Sequence, residues 1–460
     1  MKGIIFVAAF ITYVITGRYL WSIMPESTTP EHGQWALLLL ALNLAPSLHY
    51  VLFRRRNIPL IPLVGLFYTL SFAIPVFYIP LNEYQLGYLR EEALELAFYG
   101  LSCFYAAYYL FYANMKRIKI FIPVKRLYVD NVRFLKVLMY SFLVVSTLGK
   151  FFPVATFRHF YEPGIYIFAG IYLLLYLEGK LSPVESVLLG LVVLSEFATR
   201  LAVSLLAKIA RYVLFLTMVY YAVKRKVPVV SLLISVVVLG LLLPVKLEFR
   251  KIVYEAGSTL SRQERLEIFY NLAKDHYLAE ERKVELHGEE MRRESALWRF
   301  SYSCSAFSKV IELTPHQVPY WDGHTYTSLL TKFIPRILWP GKPKEGMGQE
   351  FGHRYHLIDA NDTSTSMNLP WLAELYANFG REAVFFGMGL FGLLFAFVDR
   401  FYNSHTNTVN VIISAAIYFP IITHESNFAL EAGNMFLLTV AIHFFIQFVQ
   451  RNVGIKEKNN

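Results

Sequence analysis

Apolar residues in this chain come in long blocks separated by short polar stretches. Twelve apolar runs stand out, at 3–22, 34–53, 59–79, 94–114, 134–153, 163–178, 184–199, 207–223, 227–245, 383–399, 408–424 and 434–450. A helix needs about 20 apolar residues to cross a bilayer core roughly 30 Å thick. The pattern therefore predicts an all-α, polytopic integral membrane protein of about 12 transmembrane helices. The third run holds Pro59, Pro62 and Pro75, so it is expected to bend. A single helix over 184–223 would be about twice as long as the bilayer core is thick. It is expected to break at its polar cluster, Glu196, Arg200, Lys208 and Arg211.

One segment lacks this pattern. Residues 246–382 contain no clear span and form a long helical and irregular loop between spans nine and ten. The chain thus divides into helices one to nine (1–245), the large loop (246–382), and helices ten to twelve with a tail (383–460). Within the loop, Ser261 and Glu264 form a capping box. Leu266, Phe269, Tyr270, Ala273 and Tyr277 recur at helical spacing, as do Leu297, Phe300, Cys304, Phe307 and Ile311.

Composition strengthens the membrane reading. Only 17% of residues are charged and 55% are hydrophobic, whereas soluble proteins carry about 25% charged residues. A disordered chain, a disulfide scaffold and an ordinary cytosolic enzyme are excluded. The net charge of +10 sits in short loops. Arg54 to Arg56, the segment 116–133, Lys224 to Lys226 and the tail from Arg451 mark the cytoplasmic side. Both termini then fall inside and the large loop outside. Met1-Lys2 followed by the first apolar run resembles a signal peptide, but the run is long and no A-x-A site follows, so it is read as the first span. Cys103 and Cys304 offer no metal spacing and are a poor disulfide pair.

The densest chemistry lies at 320–380. A Pro-Arg-x-x-Trp-Pro-x-Lys-Pro element (335–343) is followed by Phe351-Gly352-His353-Arg354-Tyr355. Asn361-Asp362-Thr363-Ser364-Thr365-Ser366 and Asn368-Leu369-Pro370 come next, then Ala373-Glu374-Leu375-Tyr376-Ala377-Asn378-Phe379-Gly380. At these residues the chain resembles the Wzy-type oligosaccharide repeat-unit polymerases, bacterial inner-membrane proteins that polymerise O-antigen, capsule or exopolysaccharide. The many spans and the late, long periplasmic loop match as well. The Arg-x10-Gly spacing of some members is not matched, since Arg336 to Gly346 and to Gly348 each miss it by one.

The resemblance implies a GT-C-like glycosyltransferase acting on the periplasmic side, with polyprenyl-diphosphate-linked oligosaccharides as substrates. The acceptor is a hydroxyl of the next repeat unit, and lipid diphosphate leaves. A chain-length regulator and a flippase are implied partners. The same layout also suits an O-antigen ligase transferring glycan to lipid A-core, or a lipid-linked oligosaccharide flippase, which is not an enzyme.

Such a transfer needs cations to stabilise the departing diphosphate and a base for the acceptor hydroxyl. Candidate cations are Arg200, Lys208, Arg211, Arg336 and Arg354. Structural roles compete: Arg200 can pair with Glu196 one turn away, Lys208 and Arg211 can cap a broken helix or meet headgroups, and Arg336 can anchor at an interface. Candidate bases are Glu374, Asp362 and His353, with His356, Asp359 and the His424-Glu425 pair behind them. Asp362 before a Thr/Ser run also reads as an Asx turn, and loop histidines also serve as hydrogen-bonders. Glu374 sits in an apolar setting, where an unpaired charge is costly, and the resemblance favours it. Tyr320, Trp321, Tyr326, Trp339 and Tyr376 are the aromatic candidates; stacking on sugar and an interfacial belt both fit. No Asp-x-Asp, P-loop, dinucleotide fingerprint, HExxH or GxSxG occurs. No metal or cofactor is expected, and the basic loops give no case for nucleic acid.

Overall fold

A computed structural model describes residues 2–53, 58–84, 86–114, 131–151, 155–202, 206–255, 260–278, 296–331, 334, 339, 341, 346–363, 365–403 and 408–452. In chain order its helices are α1 (Lys2–Ser22), α2 (Pro30–Phe53), α3 (Leu60–Tyr68), α4 (Glu91–Asn114), α5 (Val132–Phe151) and α6 (Ala155–Leu177). Then come α7 (Pro183–Ala202), α8 (Leu206–Lys224), α9 (Val229–Glu255), α10 (Arg262–Leu278), α11 (Ala296–Phe300) and α12 (Tyr302–Leu313). The last are α13 (Thr327–Thr331), α14 (Gly348–Arg354), α15 (Trp371–Phe379), α16 (Arg381–Tyr402), α17 (Thr408–Tyr418) and α18 (Phe428–Asn452). Among the described residues there is no β-strand, only one isolated bridge between Tyr84 and Gly87.

Each of the twelve apolar runs overlaps a helix. Among the described residues, seven spans are long and apolar enough to cross a membrane: Lys2–Ser22, Pro30–Phe53, Leu60–Phe77, Glu91–Asn114, Val132–Lys150, Arg381–Arg400 and Phe428–Asn452. Three apolar stretches are shorter, Tyr161–Leu177, Val229–Leu242 and Thr408–Tyr418. Helices α7 and α8 are long enough but carry the charges Glu196, Arg200, Lys208 and Arg211. The expected break between them concerns residues 203–205, which lie outside the described residues.

The expected bend in the third run is a change of helix type. The α-helix widens to a π turn over Thr69–Ala73 and then tightens to a 3-10 turn over Ile74–Phe77. Pro75 lacks the N–H that would bond the carbonyl four residues back, and its ring crowds that carbonyl, so the regular ladder cannot continue.

The chain packs as two compact units. The first comprises residues 1–125, 288–406 and 417–442, the second 126–287, 407–416 and 443–460. In the first unit, α4 and α16 approach closely at glycines. A Cβ on Gly392 would lie 2.1 Å from the Phe104 carbonyl oxygen, and one on Gly100 would lie 2.9 Å from Val384. Small residues at such crossings let backbones meet, the usual device of membrane helix pairs. Helix α12 buries Cys304, Phe307 and Ile311 as its spacing predicts. It also buries Ser305 and Ser308, whose hydroxyls accept the backbone N–H groups of Leu86 and Arg90 at 3.0 Å each.

In the second unit, α10 packs on α9 through Phe269 against Val245 and Phe249. The capping box is formed: Ser261 N–H donates to Glu264 Oε2 at 2.6 Å, and Glu264 N–H donates to Ser261 Oγ at 3.3 Å. Tyr270 and Tyr277 are exposed, because the packed face runs through Ile268, Phe269, Leu272 and Ala273 instead.

Candidate functional site

The second unit holds a polar cluster built by α5, α6, α7 and α8. Arg200, in the last turn of α7, is 3% exposed. Its guanidinium carbon lies 4.8 Å from the Tyr212 ring and 5.3 Å from the Tyr166 ring. Its Nη1 is 3.7 Å from Glu162 Oε1, while Nε and Nη2 are buried with no hydrogen-bond partner among the described residues. Lys208 Nζ meets the same Glu162 oxygen at 3.2 Å, and Arg211 is an electrostatic neighbour of that carboxylate. The side chains of Glu162 and Lys208 are 37% and 35% exposed, so the cluster is open on their side and closed at Arg200.

The other half of the cluster centres on Glu196, one turn before Arg200. Its Oε1 is 3.3 Å from Lys150 Nζ, and its Oε2 accepts the Tyr161 hydroxyl at 2.7 Å. Lys150 also donates to Thr199 Oγ1 at 3.1 Å. The expected Glu196–Arg200 pair is therefore replaced by two crossed pairs, Glu196 with Lys150 and Glu162 with Arg200. Among the described residues, four cations (Arg200, Lys208, Arg211, Lys150) face two carboxylates (Glu162, Glu196). A buried guanidinium with unused donors and surplus positive charge suits an anion with several oxygens, such as a phosphate. Glu162, Tyr161 and Lys150 were missed by sequence reasoning. Their signal was the presence of charges at the ends of apolar runs.

The first unit holds Glu374, which is fully buried on α15. Its Oε2 accepts the backbone N–H of Phe428, the first residue of α18, at 2.6 Å. Its Oε1 makes no hydrogen bond among the described residues. Burial pushes its pKa up to about 7, against the pull of the Phe428 N–H and the nearby Thr325 hydroxyl. Tyr326, whose buried hydroxyl has no partner among the described residues, titrates well above its ordinary range because of burial first and the Glu374 charge second.

The C-terminal carbonyls of α15 are closed by the turn before Tyr326. Trp321 N–H donates to Ala377 O at 2.9 Å and Asp322 N–H to Asn378 O at 3.2 Å. Asn378, also fully buried, accepts Gly323 N–H at 3.0 Å and donates to Thr325 Oγ1 at 2.9 Å and Glu374 O at 2.8 Å. Gly323 takes a φ of +86°, open to a glycine at no steric cost.

The remaining candidates are placed as follows. Arg354 sits 5.2 Å from the Trp321 ring and donates to the carbonyls of Pro319 (2.6 Å) and Tyr320 (3.3 Å), with a buried Nε left over. Tyr376 packs edge-on against Phe307 at 6.1 Å. Asp362 forms a turn by accepting Thr365 N–H at 2.9 Å. His353 is half-buried on α14, His356 and Asp359 are exposed, and Trp339 is exposed. His424 is buried and stacks on Tyr68 at 3.7 Å, while Glu425 pairs with Arg299 at 3.1 Å. Arg336 lies outside the described residues. Arg200, Lys208 and Arg211 are thus brought together in one unit, and Glu374, Tyr326 and the Arg354–Trp321 pair belong to the other. Among the described residues no group of three or more His, Cys, Asp or Glu could hold a metal ion.

Fold and apolar helices together define a multi-pass, all-helical membrane protein. A family model described as a domain of unknown function, DUF8712, matches residues 104–419, and the chain belongs to that family. No curated protein and no solved structure matches it.

Proposed function

We propose that this protein is a lipid-linked oligosaccharide polymerase, a glycosyltransferase that joins polyprenyl-diphosphate-linked repeat units with lipid diphosphate as leaving group. The observation that carries this reading is Arg200, a buried guanidinium with two nitrogens unpartnered among the described residues, sharing Glu162 with Lys208 and Arg211. A charge in an apolar helix bundle is expensive, so a role in handling a substrate charge is its default explanation. A diphosphate headgroup carries the complementary charge, and its lipid tail suits a site within apolar helices. Positive charge held there in advance stabilises the leaving group as the glycosidic bond breaks. The resemblance of residues 320–380 to Wzy-type polymerases supports the same reading. The charge distribution along the sequence fits twelve spans, and the resemblance implies a GT-C-like arrangement. On that basis the protein sits in the bacterial inner membrane with both termini cytoplasmic and 246–382 in the periplasm.

The test is reconstitution. Purified protein is mixed with lipid-linked repeat unit, in EDTA and without nucleotide sugar, and products are resolved on a gel. A ladder of repeat units is the expected result. Transfer only when lipid A-core is added would replace the reading by an O-antigen ligase. Movement of lipid-linked sugar across vesicles without any transfer would replace it by a flippase.

A further inference from the structure

We infer that Tyr161 and Glu196 form the proton-accepting pair of this site, with Tyr161 facing the acceptor hydroxyl and Glu196 behind it. This rests on the reading of the chain as a lipid-diphosphate glycosyltransferase. Three observations carry it. Glu196 is one helical turn from Arg200 on α7, so a carboxylate and a phosphate-binding guanidinium share one helix face. Glu196 is 4% exposed and hydrogen-bonded to Tyr161 at 2.7 Å, while Tyr161 itself is half-buried and thus the more accessible of the two. Tyr161 is also the sequence neighbour of Glu162, which touches both Arg200 and Lys208 on the open side of the cluster. The phenol is thus the hydrogen-bond partner of the enclosed carboxylate and an electrostatic neighbour of both Arg200 and Glu162.

Other carboxylates are less suited. Glu162 is taken by Arg200 and Lys208. Glu374 is fully buried and spends one oxygen on the first N–H of α18.

The step balances without a metal or redox partner. The acceptor oxygen bonds to the anomeric carbon of the donor as the bond from that carbon to the phosphate oxygen breaks. The electron pair leaves with the lipid diphosphate, which Arg200 holds. The acceptor proton passes to the Tyr161 oxygen while the Tyr161 proton passes to Glu196 Oε2. Lys150, 3.3 Å from Oε1, fixes the carboxylate for this transfer.

The experiment uses the full-length protein with lipid-linked repeat unit for turnover and with undecaprenyl diphosphate in detergent for binding. Positioned acid–base groups contribute about 10²- to 10⁴-fold. Glu196→Gln is expected to bind the diphosphate at least as tightly as wild type, since Lys150 is freed, yet lose about 100-fold or more in turnover. Tyr161→Phe should lose about tenfold or more, and Glu196→Asp should recover part of the rate. Wild-type turnover in Glu196→Gln would overturn the inference while leaving the polymerase reading standing. Loss of diphosphate binding in Glu196→Gln would overturn it too, since the residue would then only hold the site together. A wild-type protein that binds the diphosphate and transfers nothing would remove both the polymerase reading and the inference.

Discussion

Glu374 Oε2 accepts the backbone N–H of Phe428 at 2.6 Å, so a side chain of α15 caps the first turn of α18. A carboxyl is well placed there, because the first N–H groups of a helix lack partners and carry partial positive charge. Yet the group is fully buried, and burial wins: its pKa rises from 4.5 to about 7. The unfolded chain releases this proton near 4.5 and the folded chain near 7. Between those values the folded state binds the proton more strongly. The stabilisation is therefore complete below about 4.5, falls as pH rises toward 7, and is gone above it. A difference of that size corresponds to about 3 kcal/mol. Thermal unfolding in detergent between pH 4.5 and 8 should show this slope, and Glu374→Gln, which keeps an acceptor for Phe428, should flatten it. An unchanged slope in the variant would assign the pH dependence to other groups.

Arg200→Ala should weaken undecaprenyl diphosphate binding. Hydrogen bonds to a charged group are worth about 1.5–3 kcal/mol, or about 10- to 100-fold in affinity. Arg200→Lys should recover only part of this, because an ammonium cannot grip two oxygens in one plane. Equal affinity of Arg200→Ala and wild type would remove Arg200 from the anion site.

Glu162→Gln should act in the opposite direction. Glu162 pairs with Arg200 and Lys208, at 3.7 and 3.2 Å. Removing its charge frees both cations, so diphosphate binding should tighten several-fold and depend more steeply on salt. Weaker binding in the same titration would show that the carboxylate organises the site rather than competing with the ligand.

Asn378→Ala should loosen the turn from Trp321 to Tyr326. The substitution strands the Gly323 N–H and removes the bonds to Thr325 Oγ1 and the Glu374 carbonyl. Buried groups left unpaired cost about 1–3 kcal/mol each. Faster hydrogen exchange or proteolysis confined to 320–330 would check this, and full protection there would refute it.

Gly392→Ala should prevent α4 and α16 from closing, since its Cβ would lie 2.1 Å from the Phe104 carbonyl oxygen. Gly389→Ala, on the same helix with nothing within 4 Å, is the control. Size-exclusion chromatography in detergent should show a folded peak for the control and aggregation for Gly392→Ala.

The helices were legible because lipid leaves few choices. A backbone in hydrocarbon must satisfy its own hydrogen bonds, so each apolar run becomes a helix. The capping box at Ser261 and Glu264 was legible for a similar reason, since both partners lie within one turn. Pro75 marked an irregularity, but the π and 3-10 turns that resolve it depend on how that segment packs.

Charge pairing was not legible. A helix offers Arg200 a partner at Glu196, and local spacing alone cannot outrank it. The fold instead brings in Glu162 and Lys150 from α6 and α5, and the pairs cross. Asp362 shows the other outcome: its hydroxyl-rich neighbourhood already suggested a turn, and it accepts Thr365 N–H. Local chemistry therefore settled what the chain is, an all-helical membrane protein with polar residues confined to known places. Which of those residues meet was decided by tertiary packing, because contacts between helices depend on side-chain directions that no single helix specifies.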